Sequence, residues 1–127
     1  MKLEEIGRYD FTPMRRGDSF PEREIAKTEQ PAGTPKAIAS ARMEVRSSQG
    51  DLVHFWDSEA DPATITIGGA GNNSVVLAEV GPAVTSGFVP GEHNFDLEVF
   101  WVSGGNRTIV AGKFPVIIDI TLPRPTP

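Results

Sequence analysis

The chain has no cysteine. That excludes a disulfide framework and a thiolate site, and it suits folding in a reducing cytosol. Histidine is scarce: His54 and His93 are the only two. A nucleophilic triad needs a base beside a nucleophile, and neither histidine lies in a G-x-S-x-G motif. His54 reads as a half-exposed strand residue and His93 as a turn residue after Pro90-Gly91. Basic residues are in the minority, 12 Lys and Arg against 17 Asp and Glu, for a net charge of −5. Such a surface repels nucleic acid and anionic membranes unless a basic patch is segregated. The basic residues are scattered apart from Arg15 and Arg16, so no nucleic-acid partner is expected. No stretch approaches the roughly 20 apolar residues of a membrane span. The N-terminal MKLEEIGRYDF lacks the apolar run of a signal peptide. The expectation is a protein made and folded in the cytoplasm, with no membrane partner.

Helical periodicity is also missing. The best helical stretch, Pro21 to Glu29, offers only Ile25 and Ala26 for an apolar face. Period-2 alternation takes its place. In Ala41–Arg46, Ala41, Met43 and Val45 face one way and Arg42, Glu44 and Arg46 the other. In Asn94–Trp101, Phe95, Leu97, Val99 and Trp101 share a face. In Phe114–Ile120 both faces are largely apolar, which predicts a strand covered on both sides or lying at an interface. Shorter strands are expected at Ile6–Phe11, near Ser19–Ala26, and at Leu52–Trp56, Thr64–Ile67, Ser74–Val80 and Arg107–Ala111.

The 13 glycines and 11 prolines fall about where the turns between such strands would lie. Two hairpins follow, one around Gly68–Asn73 and one around Ser103-Gly104-Gly105. The 127 residues suit one domain, which can bury roughly two-thirds of its unfolded surface. About eight short strands without crossover helices predict an all-β fold, an immunoglobulin-like antiparallel β-sandwich. A small barrel is the alternative architecture. The core spans about residues 9–121, with Trp56 and Trp101 between the sheets and a Pro-rich tail at 122–127.

Several local patterns have a chemical and a plain reading. Asp57, Glu59 and Asp61 alternate as in a calcium loop, yet the glycine and the distant glutamate of such a loop are missing, so the plain reading is a solvated acidic turn. The glycine-rich 68–73 loop is followed by a strand rather than by Lys-Ser/Thr and a helix, so it is a hairpin loop and not a phosphate cradle. Arg16-Gly17-Asp18 spells an integrin-binding tripeptide but reads as a turn opening a strand. Asp96 and Glu98 share a strand face as paired glycosidase carboxylates might, and equally as a wet sheet face does. No catalytic, cofactor-binding or metal residue is expected, and the chain is not expected to be an enzyme.

The order of features carries a resemblance. Tyr9-Asp10-Phe11 is followed by Arg16-Gly17-Asp18-Ser19-Phe20, then by Ala41–Arg46. Pro90-Gly91 leads into Phe95-Asp96-Leu97-Glu98-Val99, and the end carries Arg107-Thr108, Gly112-Lys113-Phe114-Pro115-Val116 and Asp119-Ile120-Thr121. Over residues 9 to 121 this resembles the N-terminal immunoglobulin-like domain of phage baseplate upper proteins, including short stand-alone phage and prophage members. It departs at Thr28–Lys36, which is Pro-rich where the family has a simpler turn.

The resemblance implies a structural component of a phage tail or baseplate. Its partners would be other tail or baseplate proteins and further copies of itself, first in the cytoplasm and then in the virion. Leu3, Ile6, Tyr9 and Phe11 are expected at the interface because they precede the main sandwich, unless they cover an edge of their own sheet. Ile117 on the two-sided strand is the fifth interface residue. A carbohydrate- or ligand-binding module is the alternative, and it would need two or three coplanar exposed aromatics. A small hydrolase is a more distant one.

Overall fold

A computed structural model of the chain describes residues 7–30 and 33–118. It contains nine strands and one helical turn. These are β1 (Gly7–Arg8), β2 (Met14–Arg15), β3 (Arg23–Lys27), β4 (Ile38–Arg46), β5 (Leu52–Asp57), β6 (Ile65–Gly68), β7 (Ser74–Leu77), α1 (Pro82–Thr85), β8 (Gly91–Trp101) and β9 (Asn106–Ile117). One sheet has the order β1-β9-β8-β4-β5, with β2 also on β9; the other has the order β3-β7-β6. The first corresponds to the G-F-C-C′ sheet of an immunoglobulin domain and the second to its B-E-D sheet. The fold is an immunoglobulin-like β-sandwich.

The alternation read from the sequence is the alternation of the core. Ala41, Met43 and Val45 of β4 and Phe95, Leu97, Val99 and Trp101 of β8 are all buried. Register pairs Met43 with Leu97 and Val45 with Phe95, so both strands bury the same face. Trp56 is fully buried, and its indole N–H donates to the Ala78 carbonyl at 3.2 Å, which ties β5 to the segment after β7. Phe20, Trp56 and Phe114 form the aromatic centre, with ring centroids 5.2 to 6.1 Å apart.

Pro21–Glu29 holds a strand, β3, as its thin apolar face suggested. Two other expectations need correction. The two strands expected at Arg107–Ala111 and Phe114–Ile120 are one strand, β9, running unbroken through Gly112. The N-terminal segment pairs in parallel, not antiparallel: Gly7 lies opposite Val110 and Met14 opposite Val116. It follows β9 from Val110 to Ile117, with Tyr9 and Phe11 N–H groups donating to the Ala111 and Lys113 carbonyls at 3.1 and 2.9 Å.

The two loops of unusual composition hold each other. Gly69 and Asn72 take positive φ, +85° and +49°, as the hairpin between β6 and β7 requires. The Asn73 amide donates to the Thr28 carbonyl at 2.7 Å, and the Thr28 N–H returns a bond to the Asn73 carbonyl at 2.9 Å. The Pro-rich loop is thus fixed at its base to the glycine-rich one.

Candidate functional site

The sequence placed five residues at an interface. Leu3 and Ile6 lie outside the described residues. Tyr9 is 39% exposed and stands edge-on to Phe11 at 4.8 Å. Phe11 is a correction: only 5% exposed, it packs on Phe20, Phe95 and Phe114 with centroids 4.9 to 5.9 Å away. The parallel pairing lays the segment along β9, and its N–H bond to the Lys113 carbonyl sets Phe11 against Phe114 of that strand, while Tyr9 before it stays part-exposed. Ile117 is 40% exposed at the end of β9.

Beyond its own strand, Ile117 has a neighbouring segment that the sequence did not mark. Gly91 lies opposite Val116, so the chain entering β8 and the chain leaving β9 run side by side. Val89 and Ile118 stand there 59% and 58% exposed, and Val84 of α1 is exposed as well. Arg16 closes the corner by donating to the Ser86 carbonyl at 2.7 Å. Local composition hides this group, because Val84 and Val89 belong to a Gly/Pro-rich connection that reads as a turn. Only the register brings them to the end of β9.

The outward face of the larger sheet is polar and networked. Arg42 donates to Glu44 at 2.7 Å and to Asp57 at 2.9 Å, and Arg46 meets Glu44 at 2.7 Å. The Arg42 guanidinium lies 4.1 Å over the Phe55 ring, so this exposed aromatic is already covered by a cation. The hydrogen bond from Arg42 holds the Glu44 carboxyl below its usual range. Asp96 goes the other way: burial, then the charges of Glu44 and Glu98, push its carboxyl up. Glu98 accepts from the Asn106 amide at 2.8 Å.

The remaining patterns resolve to structure. Asp57 accepts from the Glu59 N–H at 2.8 Å and from Arg42, which makes the acidic stretch a closed turn. Among the described residues no group of three or more His, Cys, Asp or Glu is placed to hold a metal ion. Arg16-Gly17-Asp18 is a turn, with Gly17 at φ +85° and the Asp18 N–H donating to the Arg15 carbonyl.

His54 is on a strand and half-exposed, as the sequence put it, and His93 is not in an exposed turn. His54 is half-buried and faces inward, edge-on to Trp56 at 4.5 Å and 5.0 Å from Phe88, and burial lowers its pKa. His93 is buried inside β8, not exposed in a turn. Its Nε2 bonds the Val89 carbonyl, which can only accept, so Nε2 carries the proton. Its Nδ1 is buried with no partner. In antibody-type sandwiches a tyrosine at the start of the corresponding strand bonds backbone a few residues upstream, and His93 makes that type of link here. Among the described residues no carboxylate hydrogen-bonds to either histidine.

No helix among the described residues is long and apolar enough to cross a membrane. No family model matches the chain, and no curated protein matches it. Among solved structures, CopC from Methylosinus trichosporium OB3b is similar with a TM-score of 0.47 and 12% identity, over 87% of this chain and 88% of that one. Extracellular domains 3-5 of Drosophila OTK are similar with a TM-score of 0.37 and 10% identity, over 90% of this chain. The chain spans 33% of that OTK fragment.

Proposed function

We propose that the chain is a non-enzymatic structural domain of a phage or prophage tail or baseplate, working by protein–protein contacts. In this reading it is assembled in the bacterial cytoplasm and carried in the virion. The observation that carries docking is the exposure of Val89, Ile117 and Ile118 where the start of β8 pairs with the end of β9, with Val84 of α1 exposed as well. Clustered aliphatic side chains at one end of a small domain mark an association surface more often than scattered ones do. The tail assignment draws its support from the order of motifs between Tyr9 and Thr121. Identical copies and neighbouring tail proteins are the partners, and no cofactor, nucleic acid or membrane enters the reading.

Mass spectrometry of purified virions, with light scattering of the isolated chain, tests this. The expected result is the chain in particles with tail proteins, and an oligomer or tail co-complex in solution. Its absence from particles, together with a strict monomer that binds no tail protein, would sink the reading.

A further inference from the structure

Arg23 is a cation on the inward side of its strand. In the register of β3 and β7 it lies opposite Leu77, which is fully buried, so both side chains face the space between the sheets. The guanidinium lies over three rings, 5.9 Å from Tyr9, 5.3 Å from Phe11 and 5.8 Å from Phe20. Among the described residues it forms no hydrogen bond and no ion pair. Five N–H donors on a planar fork thus lie beside aromatic faces with no acceptor among the described residues.

A cleft of about 220 Å³ opens beside it, with Phe11, Met14, Phe20 and Phe114 among its walls and Arg23 as its charged member. The cleft adjoins an open strand edge. In a four-stranded A-B-E-D sheet the first strand would cover the second. Here β1 and β2 pair with β9 instead, and among the described residues β3 is left as an edge of the smaller sheet. An edge strand presents unpaired main-chain donors and acceptors to any extended segment that lies along it.

We propose that the cleft between β2 and β3 binds an extended segment of a partner protein, which pairs with the open edge of β3 and sets an Asp or Glu side chain on Arg23 and an apolar side chain among Phe11, Met14 and Phe20. A carboxylate matches the guanidinium in charge and in its two-pronged geometry. The rings beside the guanidinium reduce its hydration, which strengthens the pair. The site shares no residue with the aliphatic end, so its success or failure leaves the tail assignment to its own test.

NMR titration of the full chain tests this, following backbone amides and the Arg23 Nε–H resonance. The probes are 3-phenylpropionate and the blocked peptide acetyl-Val-Asp-Val-Asp-Val-amide. Both are expected to shift Arg23 saturably. The peptide also shifts amides along β3 and binds about tenfold tighter, because main-chain pairing adds to the side-chain contact. Arg23→Gln keeps the native spectrum and abolishes both responses, and the amide and Asn counterparts of the probes bind about tenfold more weakly or not at all. No saturable shift with either probe overturns the proposal, including the case of a guanidinium already held by one of the chain's own termini. A response to 3-phenylpropionate without a response of β3 to the peptide marks a site for free small carboxylates, and likewise overturns a protein partner.

Discussion

Gly112 lies directly beneath the carbonyl of Tyr9: a Cβ built on Gly112 would stand 1.8 Å from that oxygen and 2.7 Å from its carbon. The close approach lets the N-terminal segment lie along β9, with the Asp10 carboxylate accepting from the Lys113 N–H at 3.0 Å. Gly112→Ala is therefore expected to push Tyr9 off β9 and to destabilise the fold by about 1–3 kcal/mol. Urea denaturation reads the loss, and hydrogen exchange locates it at the Tyr9 and Phe11 amides. An alanine variant as stable as the parent, with those amides still protected, would show that the segment is not held as described.

Tyr9 and Phe11 separate burial from exposure on that same segment. Phe11→Ala empties an aromatic site in the core and is expected to cost about 3–5 kcal/mol. Tyr9→Ala removes a part-exposed ring with one edge contact, and the expected cost is about 1 kcal/mol or less. If Tyr9 belongs to an interface, its variant loses assembly while keeping its melting temperature. Equal destabilisation by the two variants would contradict the placement of Tyr9.

How much of this was legible follows from range. The inward faces of β4 and β8 were readable from Ala41–Arg46 and Asn94–Trp101, because alternation is local and both strands have one wet face. The unbroken β9 was not. A glycine inside a strand pattern reads as a break, and only the overlying Tyr9 explains why Gly112 continues the ladder. The exposed Val89 beside the end of β9 was equally hidden, since its place depends on the pairing of Gly91 with Val116. Arg23 was hidden for a similar reason: a charged residue in a strand is read as facing solvent, and the register with Leu77 turns it inward.

His93 gives a sharper test of the corner between α1 and β8. His93→Phe keeps most of the ring volume but leaves the Val89 carbonyl without its donor, while also removing the unpaired Nδ1. The two effects oppose, so the expected net cost is about 1 kcal/mol. His93→Ala adds a cavity, and its expected cost is about 3 kcal/mol. Thermal unfolding of both variants decides the point. If His93→Phe costs as much as His93→Ala, the hydrogen bond and not the packing holds the corner.

The pH dependence of stability has two separable parts. Burial lowers the pKa of His54, so the folded chain disfavours a proton that the unfolded chain accepts. Above about pH 6.5 this group contributes no slope. As the pH falls through that value toward the lower folded one, the unfolded state binds more protons and stability drops. His54→Gln is expected to flatten this part of the profile.

Asp96 acts in the opposite sense. Its raised pKa means that the folded chain holds a proton more tightly than the unfolded chain does, so stability is lost as pH rises from the unfolded carboxyl value through the folded one. At neutral pH the ionised Asp96 is a cost, because burial and the charges of Glu44 and Glu98 oppose its charge. Asp96→Asn is therefore expected to stabilise the neutral protein by up to about 0.5 kcal/mol, the usual scale for a surface change. The gain vanishes in acid below the unfolded carboxyl value, where Asp96 is protonated in both states. Chemical denaturation at pH 7 and in acid reads both limits, and an asparagine variant less stable than the parent at neutral pH would show that Asp96 has a favourable partner on that face.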